Sequence, residues 1–160
     1  MGAGKSAVGA ALARMTGYRL VELDLEIERA AGMRIADIFE KEGEGAFRDM
    51  ESLALVSVLA HDRQIVSTGG GAVIRVDNLK AMKAGGVVVR LAVTPDTVYE
   101  RTKRSTHRPL LQTENPKERI SQLMGEREPY YAQADYTVDT EGKSPWQLSE
   151  EILEGIGWSA

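Results

Sequence analysis

The chain has 160 residues, of which 42% are hydrophobic and 28% charged, as in a typical single globular domain. Its formal net charge of −4 argues against a broad basic face for duplex nucleic acid, and its lack of cysteine excludes disulfides, thiolate metal sites and a cysteine nucleophile. No apolar run reaches the roughly 18 residues of a membrane span. We therefore expect a soluble, cytoplasmic protein that binds neither nucleic acid nor membranes. A monomer is a separate expectation, which composition does not establish.

Helical and strand patterns alternate in the first half of the chain. Apolar residues at helical spacing predict a helix over Lys5–Met15, ended by Gly17, and a strand follows over Arg19–Leu23. The other predicted elements of this half are helices over Leu25–Ala31 and Ala46–Ala60 and a strand over Ile65–Thr68.

The second half continues this alternation. Val87–Val93 is almost continuously apolar, which is typical of a strand buried on both faces of a sheet. Strands separated by helices indicate right-handed crossovers and a parallel sheet. Thr102–Asn115 has no clear periodicity and is either a functional lid or a solvated basic loop. The remaining predicted elements are helices over Asn78–Ala84, Pro95–Lys103, Lys117–Ala132 and Pro145–Ile156 and a strand over Tyr136–Val138.

The opening residues MGAGKS match the second half of the phosphate-binding pattern G-x-x-x-x-G-K-[ST]. In such a loop the amides at the helix N-terminus bind phosphate oxygens, Lys5 reaches the β- and γ-phosphates, and the Ser6 hydroxyl ligates Mg²⁺. The alternative interpretation of the same residues is an ordinary helix start made of small side chains.

The first glycine of that pattern would lie two residues before Met1. The strand that normally precedes the loop would lie further upstream. We therefore expect the biological protein to begin about 6–12 residues upstream, with an apolar strand, and Met1 to be an internal methionine.

Two further segments follow predicted strands. Glu22 and Asp24 are two residues apart, so on an extended segment their side chains point the same way, toward the ligand crevice of a parallel sheet. They either serve a metal or accept a proton, or Asp24 caps a helix and Glu22 is solvated. Gly69–Gly71 either allows a ligand to approach the backbone closely or forms a tight turn.

Several charged and aromatic residues have an ordinary interpretation when they are considered alone. Arg48 and Glu51 are three residues apart on a helix and predict a surface ion pair. For Arg127 a surface charge and a functional residue are equally compatible with the sequence, and Tyr130 and Tyr131 are interpreted as packing residues.

In their order along the chain, these segments resemble shikimate kinase. The phosphate loop alone is shared by many nucleotide enzymes, but the ordered set is specific and covers nearly the whole chain. It consists of MGAGKSAVG, D-x-x-I-E at Asp24–Glu28, GMRIADIFEKEGEGAFRDME at Gly32–Glu51, GGGAV at Gly69–Val73, RPLL at Arg108–Leu111, R-x-P-Y at Arg127–Tyr130 and V-D-T-x-x-x-x-P at Val138–Pro145.

The resemblance implies a P-loop three-layer α/β fold with helices on both faces of a parallel five-stranded sheet in the order 2-3-1-4-5, whose first, central strand is absent from this chain. It implies one domain over residues 1–160 with a mobile lid at about 102–115. The implied activity is ATP-dependent, Mg²⁺-assisted phosphorylation of the 3-hydroxyl of shikimate, a step of chorismate and aromatic amino-acid biosynthesis.

The resemblance also implies residues for the nucleotide and its metal. Six residues would bind the phosphates: Gly2, Ala3, Gly4, Lys5, Ser6 and Ala7. Three would lie near the adenine: Arg101, Thr140 and Pro145. Mg²⁺ would be held by Ser6 and, through water, by Glu22, which stands where the family usually has Asp.

For the substrate, the resemblance implies that Arg48 and Arg127 bind the carboxylate and that Gly70 donates its backbone N–H. Asp24 would bind the hydroxyls and accept the proton, and Arg108 in the lid would reach the transferring phosphoryl group. Glu51 would hold the two arginines.

Three other functions are weighed against this one. Another small-molecule kinase of the same fold, such as a gluconate kinase-like protein, fits the paired arginines less well. A GTP-dependent switch would need the guanine-reading N-K-x-D, which the sequence lacks. A fragment that binds ligand without chemistry stays open because the phosphate loop is incomplete.

Overall fold

The computed structural model of the chain describes residues 2–103, 113 and 115–159. Within these residues helices and parallel strands alternate along the chain. The strands are β1 (Arg19–Glu22), β2 (Gln64–Ser67), β3 (Val89–Ala92) and β4 (Tyr136–Asp139). The helices are α1 (Lys5–Thr16), α2 (Leu23–Ala31), α3 (Ile35–Lys41), α4 (Gly43–Leu59), α5 (Val76–Gly85), α6 (Pro95–Thr102), α7 (Pro116–Tyr131) and α8 (Pro145–Gly155), with a 3₁₀ turn at Ala72–Ile74.

The four described strands form two parallel pairs. β1 pairs with β2, with Glu22 opposite Ser67, and β3 pairs with β4, with Ala92 opposite Asp139. These are the 2-3 and 4-5 pairs of the predicted strand order, without its central strand. Because both pairs are parallel, the carboxyl ends of paired strands meet at the same edge, where ligands bind in open α/β sheets.

Helices cover both faces of the strands, because successive strand residues point to opposite sides. Ile65 packs against a cluster formed with α1 and α8, whereas its neighbour Val66 packs against a second cluster formed with α2 to α5. The first cluster contains Val8, Leu12, Val138, Leu148 and Ile152. The second contains Val21, Leu23, Ile27, Ile38, Phe47, Leu55, Val58, Ala72 and Met82. The predicted three-layer α/β class is confirmed.

Three local predictions differ from the structure. Asp24 is not a helix cap: β1 continues directly into α2, Glu22 is the capping residue, and no side chain makes the capping bond. The short helix α3 was not predicted, because it is seven residues long and its capping position, Arg34, carries no capping side chain. The strand predicted at Val87–Val93 is shorter, and its residues are only half-buried because among the described strands β3 pairs with β4 alone.

Among the described helices, none is both long and apolar enough to cross a lipid bilayer.

We expect Gly155→Ala to reduce the free energy of unfolding by about 1–3 kcal/mol, because an added methyl group overpacks the end of α8. A Cβ built at Gly155 would overlap the ring and hydroxyl of Tyr136. Gly125→Ala in α7 is the matched control, since nothing lies within 4 Å of its built Cβ. This control should gain about 0.5–1 kcal/mol from helix propensity. Urea unfolding checks both values, and equal changes in the two variants would contradict the packing argument.

Candidate active site

The loop before α1 has the backbone shape of an anion-binding loop. Gly2 and Gly4 both have left-handed backbone angles, with φ of 63° and 84°, a region that glycine adopts without strain. Gly4 caps α1, so the first free amides of the helix lie in the turn that contains Lys5 and Ser6. These amides and the positive end of the helix dipole favour a phosphate group here.

Helix α6 packs directly against this loop. A Cβ built at Gly2 would lie 3.3 Å from the Val98 backbone and 3.2 Å from the Thr102 side chain. The Arg101 guanidinium donates a hydrogen bond of 3.1 Å to the Gly2 carbonyl. Gly2 is therefore required for close packing as well as for its backbone angles, and Arg101 is fixed beside the phosphate loop.

Capped helices follow the carboxyl ends of β3 and β4. Thr94 caps α6 and Ser144 caps α8 in a reciprocal capping box, with prolines at the first helical positions, Pro95 and Pro145. Thr140 is 1% exposed, and its hydroxyl donates to the Ala92 carbonyl at 2.8 Å.

Glu141 joins these two strand ends. Its carboxylate accepts bonds from the Thr97 hydroxyl and from the amide and hydroxyl of Thr94. These bonds lower the pKa of Glu141. Thr140, Pro145 and Arg101 thus lie around one ordered corner at the carboxyl edge of this strand pair.

A second group of side chains gathers at Gly69–Gly71, where β2 ends. A Cβ built at Gly69 would lie 3.1 Å from Glu51 Oε1 and 3.4 Å from Asp24 Oδ1. Asp24, in the first turn of α2, is exposed, whereas Glu51 is fully buried. The glycine loop therefore brings together one accessible and one inaccessible carboxyl group.

Arg48 lies against the same loop and is held by two carboxylates. Its guanidinium bonds Glu51 at 2.8 Å and Glu44 at 3.0 Å, and it stacks over the Phe47 ring at 5.0 Å. A Cβ built at Gly71 would lie only 2.5–2.7 Å from the guanidinium. Burial acts to lower the pKa of Arg48, but the bonds to Glu51 and Glu44 outweigh it, so the arginine remains charged.

The second arginine of the site comes from α7. Arg127 is 6% exposed, and its positive charge opposes the burial that raises the pKa of Glu51. The same helix contacts the glycine loop through Tyr131, whose hydroxyl donates to the Gly70 carbonyl at 2.7 Å. Arg48 and Arg127 therefore approach one buried acid from two different helices.

A cavity of about 390 Å³ separates the two strand pairs, along the line of the central strand in the predicted order 2-3-1-4-5. It runs between β2 and β3, and its lining includes Ala3 and Lys5 of the phosphate loop together with Gly69, Gly70 and Arg127. Because this space follows the backbone of both strands, it belongs to the sheet and is not a substrate pocket.

Two ordinary interpretations from the sequence are wrong. Arg48–Glu51 is not a surface ion pair, because the Glu51 side chain is 0% exposed. Arg127 is not a surface charge, because packing of α7 against the 3₁₀ turn buries it. Sequence spacing did not reveal the Tyr131–Gly70 bond, since its partners are 61 residues apart. Arg108 and most of the predicted lid at 102–115 lie outside the described residues.

The fold and this site define a P-loop kinase that acts on a small molecule. The family profile described as shikimate kinase matches residues 1–157. A shikimate kinase of Thermodesulfovibrio yellowstonii is 44% identical over 96% of this chain and 89% of its own length. One from Persephonella marina is 46% identical over 98% of this chain and 94% of its own length.

Solved structures agree with this assignment. "Shikimate kinase from Acinetobacter baumannii in complex with shikimate" aligns with a TM-score of 0.95 and 39% identity over 98% of this chain and 88% of that one. The shikimate kinase of Aquifex aeolicus aligns with a TM-score of 0.85 and 34% identity over 100% of this chain and 95% of that one. The chain belongs to the shikimate kinase family, whose reaction is the ATP-dependent phosphorylation of shikimate in aromatic amino-acid biosynthesis.

We expect Glu51→Gln to remove a pH dependence of stability. Burial raises the pKa of Glu51 above its ordinary value of 4.5, and the charge of Asp24 adds to the increase, while Arg48 and Arg127 oppose it. Above pH 4.5 the folded state therefore binds more protons than the unfolded state, so the stabilising contribution is present below that pH and is lost as the pH rises through the folded-state pKa.

Urea unfolding at a series of pH values from 4.5 upward measures this difference. Glu44→Gln is the control, because it removes the half-exposed partner of the same arginine. The control should keep the wild-type slope of stability against pH, and Glu51→Gln should flatten it. Identical slopes in all three proteins would contradict the argument.

Proposed function

We propose that this chain transfers the γ-phosphoryl group of ATP to the 3-hydroxyl of shikimate with the residues gathered at the two loops. The observation that carries the proposal is the convergence of Arg48, Arg127 and Asp24 on Gly69–Gly71. The phosphate loop packs against α6, which follows the carboxyl end of β3. In this proposal the arginines are the carboxylate-binding group, Asp24 is the proton acceptor and the loop before α1 binds phosphate.

At the nucleotide end, Gly2 to Ala7 surround the phosphates. The amides of the first turn of α1 donate to phosphate oxygens, and Lys5 supplies positive charge to the β- and γ-phosphates. Arg101, Thr140 and Pro145 lie toward the adenine. The bond from Arg101 to the Gly2 carbonyl supports this placement, because it ties the adenine side to the phosphate loop.

At the substrate end, Arg48 and Arg127 bind the carboxylate with planar guanidinium groups, which suit bidentate recognition. Gly70 adds a backbone N–H. Asp24 accepts the proton of the 3-hydroxyl. The hydroxyl oxygen forms a bond to the γ-phosphorus, and the bond between the γ-phosphorus and the bridging oxygen that leaves with ADP breaks. Positioning and charge neutralisation dominate the rate of such a transfer.

We propose Mg²⁺ as the cofactor that accompanies ATP. Among the described residues no group of three or more His, Cys, Asp or Glu side chains is arranged to hold a metal ion by itself. Mg²⁺ bound with a nucleotide usually has only one or two protein ligands besides phosphate and water. Ser6, exposed in the first turn of α1, and Glu22, at the end of β1, have suitable oxygens. When bound, the ion supplies positive charge to the phosphate oxygens.

We further propose that residues 1–160 act as one domain, as a cytoplasmic monomer that binds neither nucleic acid nor membranes. The predicted lid at about 102–115, with Arg108 reaching the transferring phosphoryl group, is supported by the resemblance alone.

Removing either arginine should weaken shikimate binding selectively. We expect Arg127→Ala and Arg48→Ala to raise the KM for shikimate by about 30- to several-thousand-fold, because a desolvated charge loses its partner at a cost of about 2–5 kcal/mol. The KM for ATP should stay nearly unchanged. Arg34→Ala is the matched control, since Arg34 is 72% exposed and pairs with Asp37 at the same i,i+3 spacing.

Initial rates with each substrate varied in turn, and calorimetric titration with ATP, separate the two affinities. Because Arg48→Ala leaves the buried Glu51 without its cation, Arg48→Lys serves as a second variant that retains charge but not the planar fork. Equal losses of ATP and shikimate affinity would overturn the assignment of the arginines.

The Mg²⁺ proposal has its own test at Glu22. We expect Glu22→Ala to raise the Mg²⁺ concentration needed for half-maximal activity, whereas Glu22→Asp, which retains the charge, should stay within about threefold of wild type. Titration of activity with Mg²⁺ at saturating ATP measures this. An unaltered Mg²⁺ requirement in Glu22→Ala would show that Glu22 is only a solvated residue at the end of a strand.

A further inference from the structure

We infer that Tyr131 is a positioning residue that holds the glycine loop in the shape needed to bind the substrate carboxylate. Its hydroxyl donates a 2.7 Å hydrogen bond to the Gly70 carbonyl, across 61 residues of sequence. The inference rests on the roles proposed above for Gly70, Arg48 and Arg127. It adds a residue that acts through the loop and does not itself contact substrate.

Three consecutive carbonyl groups of the loop each accept a hydrogen bond, but only one of the three donors comes from α7. The Gly69 carbonyl accepts from the Ala72 amide at 3.2 Å, and the Gly71 carbonyl accepts from the Ile74 amide at 3.1 Å. The Gly70 carbonyl accepts from Tyr131. Since glycine tolerates a wide range of backbone angles, the peptide between Gly70 and Gly71 is free to rotate when this last bond is missing.

The Arg48 guanidinium lies beside Gly71, the residue that follows the Gly70 carbonyl. The peptide unit is planar, so fixing the Gly70 carbonyl also fixes the Gly71 amide. Gly71 lies so close to Arg48 that a built Cβ would be 2.5 Å from its Nη2 atom. The hydrogen bond from the Tyr131 hydroxyl therefore fixes the Gly71 amide and the backbone beside which Arg48 lies.

Tyr131 also links the loop to the second arginine. Arg127 precedes it by four residues on α7, so both side chains lie on one face of that helix. The single hydrogen bond thus sets the distance between Arg127 and the Gly70–Arg48 surface. Gly70 and Arg127 depend on this bond directly, whereas Arg48, which Glu51 and Glu44 hold, is affected through its closeness to Gly71.

Arg90 packs over the face of the Tyr131 ring. The Arg90 guanidinium lies 5.7 Å from the centre of the Tyr131 ring and makes two bonds to the Glu128 carboxylate, at 2.8 and 2.7 Å. Because guanidinium groups favour the face of an aromatic ring, this pair limits the movement of the phenol. Arg90 extends the same network to β3.

The test compares Tyr131→Phe with Tyr130→Phe, two variants that each remove one hydroxyl from adjacent residues. The Tyr130 hydroxyl makes no hydrogen bond within the described ranges. Tyr131→Phe should raise the KM and Kd for shikimate by about 3- to 10-fold, as expected for one lost hydrogen bond. The kcat, the KM for ATP and the values for Tyr130→Phe should stay within about twofold of wild type.

Hydrogen exchange gives a readout that does not depend on activity. In Tyr131→Phe the amides of 69–74 should exchange faster, while those of α4 stay as in wild type. Arg90→Lys, which keeps the charge but loses the fork to Glu128, should change shikimate affinity in the same direction by a smaller factor, and it serves as the test if Tyr131→Phe does not fold.

The outcomes separate this inference from the proposed function. If Arg127→Ala raises the shikimate KM but Tyr131→Phe leaves it unchanged, the positioning role is wrong and the site assignment stands. An increase of the same size in Tyr130→Phe, or a fall in melting temperature without a change in shikimate Kd, also overturns it. If Arg127→Ala leaves the shikimate KM unchanged, the proposed function fails first.

Discussion

The substrate end of this site depends on one buried carboxyl group. Glu51 is fully enclosed, and only one of its two oxygens has a hydrogen-bond partner among the described residues, the guanidinium of Arg48. A buried carboxylate is stable only beside a cation, and Arg48 forms that ion pair next to the loop. The charge of Arg127 also interacts with the Glu51 carboxylate. Both guanidinium groups are therefore preorganised before the substrate carboxylate binds.

The glycine loop is the geometric counterpart of this electrostatic constraint. The buried acid and its arginine lie so close to Gly69 and Gly71 that side chains at these positions would meet their polar atoms. The strand pair β1–β2 brings the loop and Asp24 to one edge, because Glu22 and Ser67 end the two strands side by side. Charge, close packing and strand register therefore specify the same small region.

Sequence analysis predicted the elements of the fold well, because their hydrophobic spacing and glycine stops are local signals. It placed Arg48 and Glu51 on one helix face but could not show their burial, since an i,i+3 pair has the same spacing in solvent and in a core. It interpreted Tyr131 as a packing residue, because its partner at Gly70 is distant in sequence. That Arg48, Arg127 and Glu51 lie together was predicted from the family resemblance and not from residue spacing.

The closeness of Gly71 to Arg48 has a consequence for engineering this enzyme toward other acids. Every other amino acid begins with the Cβ that would lie within 2.7 Å of the guanidinium, so a saturation library at this position contains only variants with a displaced arginine. Gly45, one turn before Arg48 on α4, has open space around it and tolerates diversity. A directed-evolution campaign should therefore leave the loop constant and vary the residues that face it.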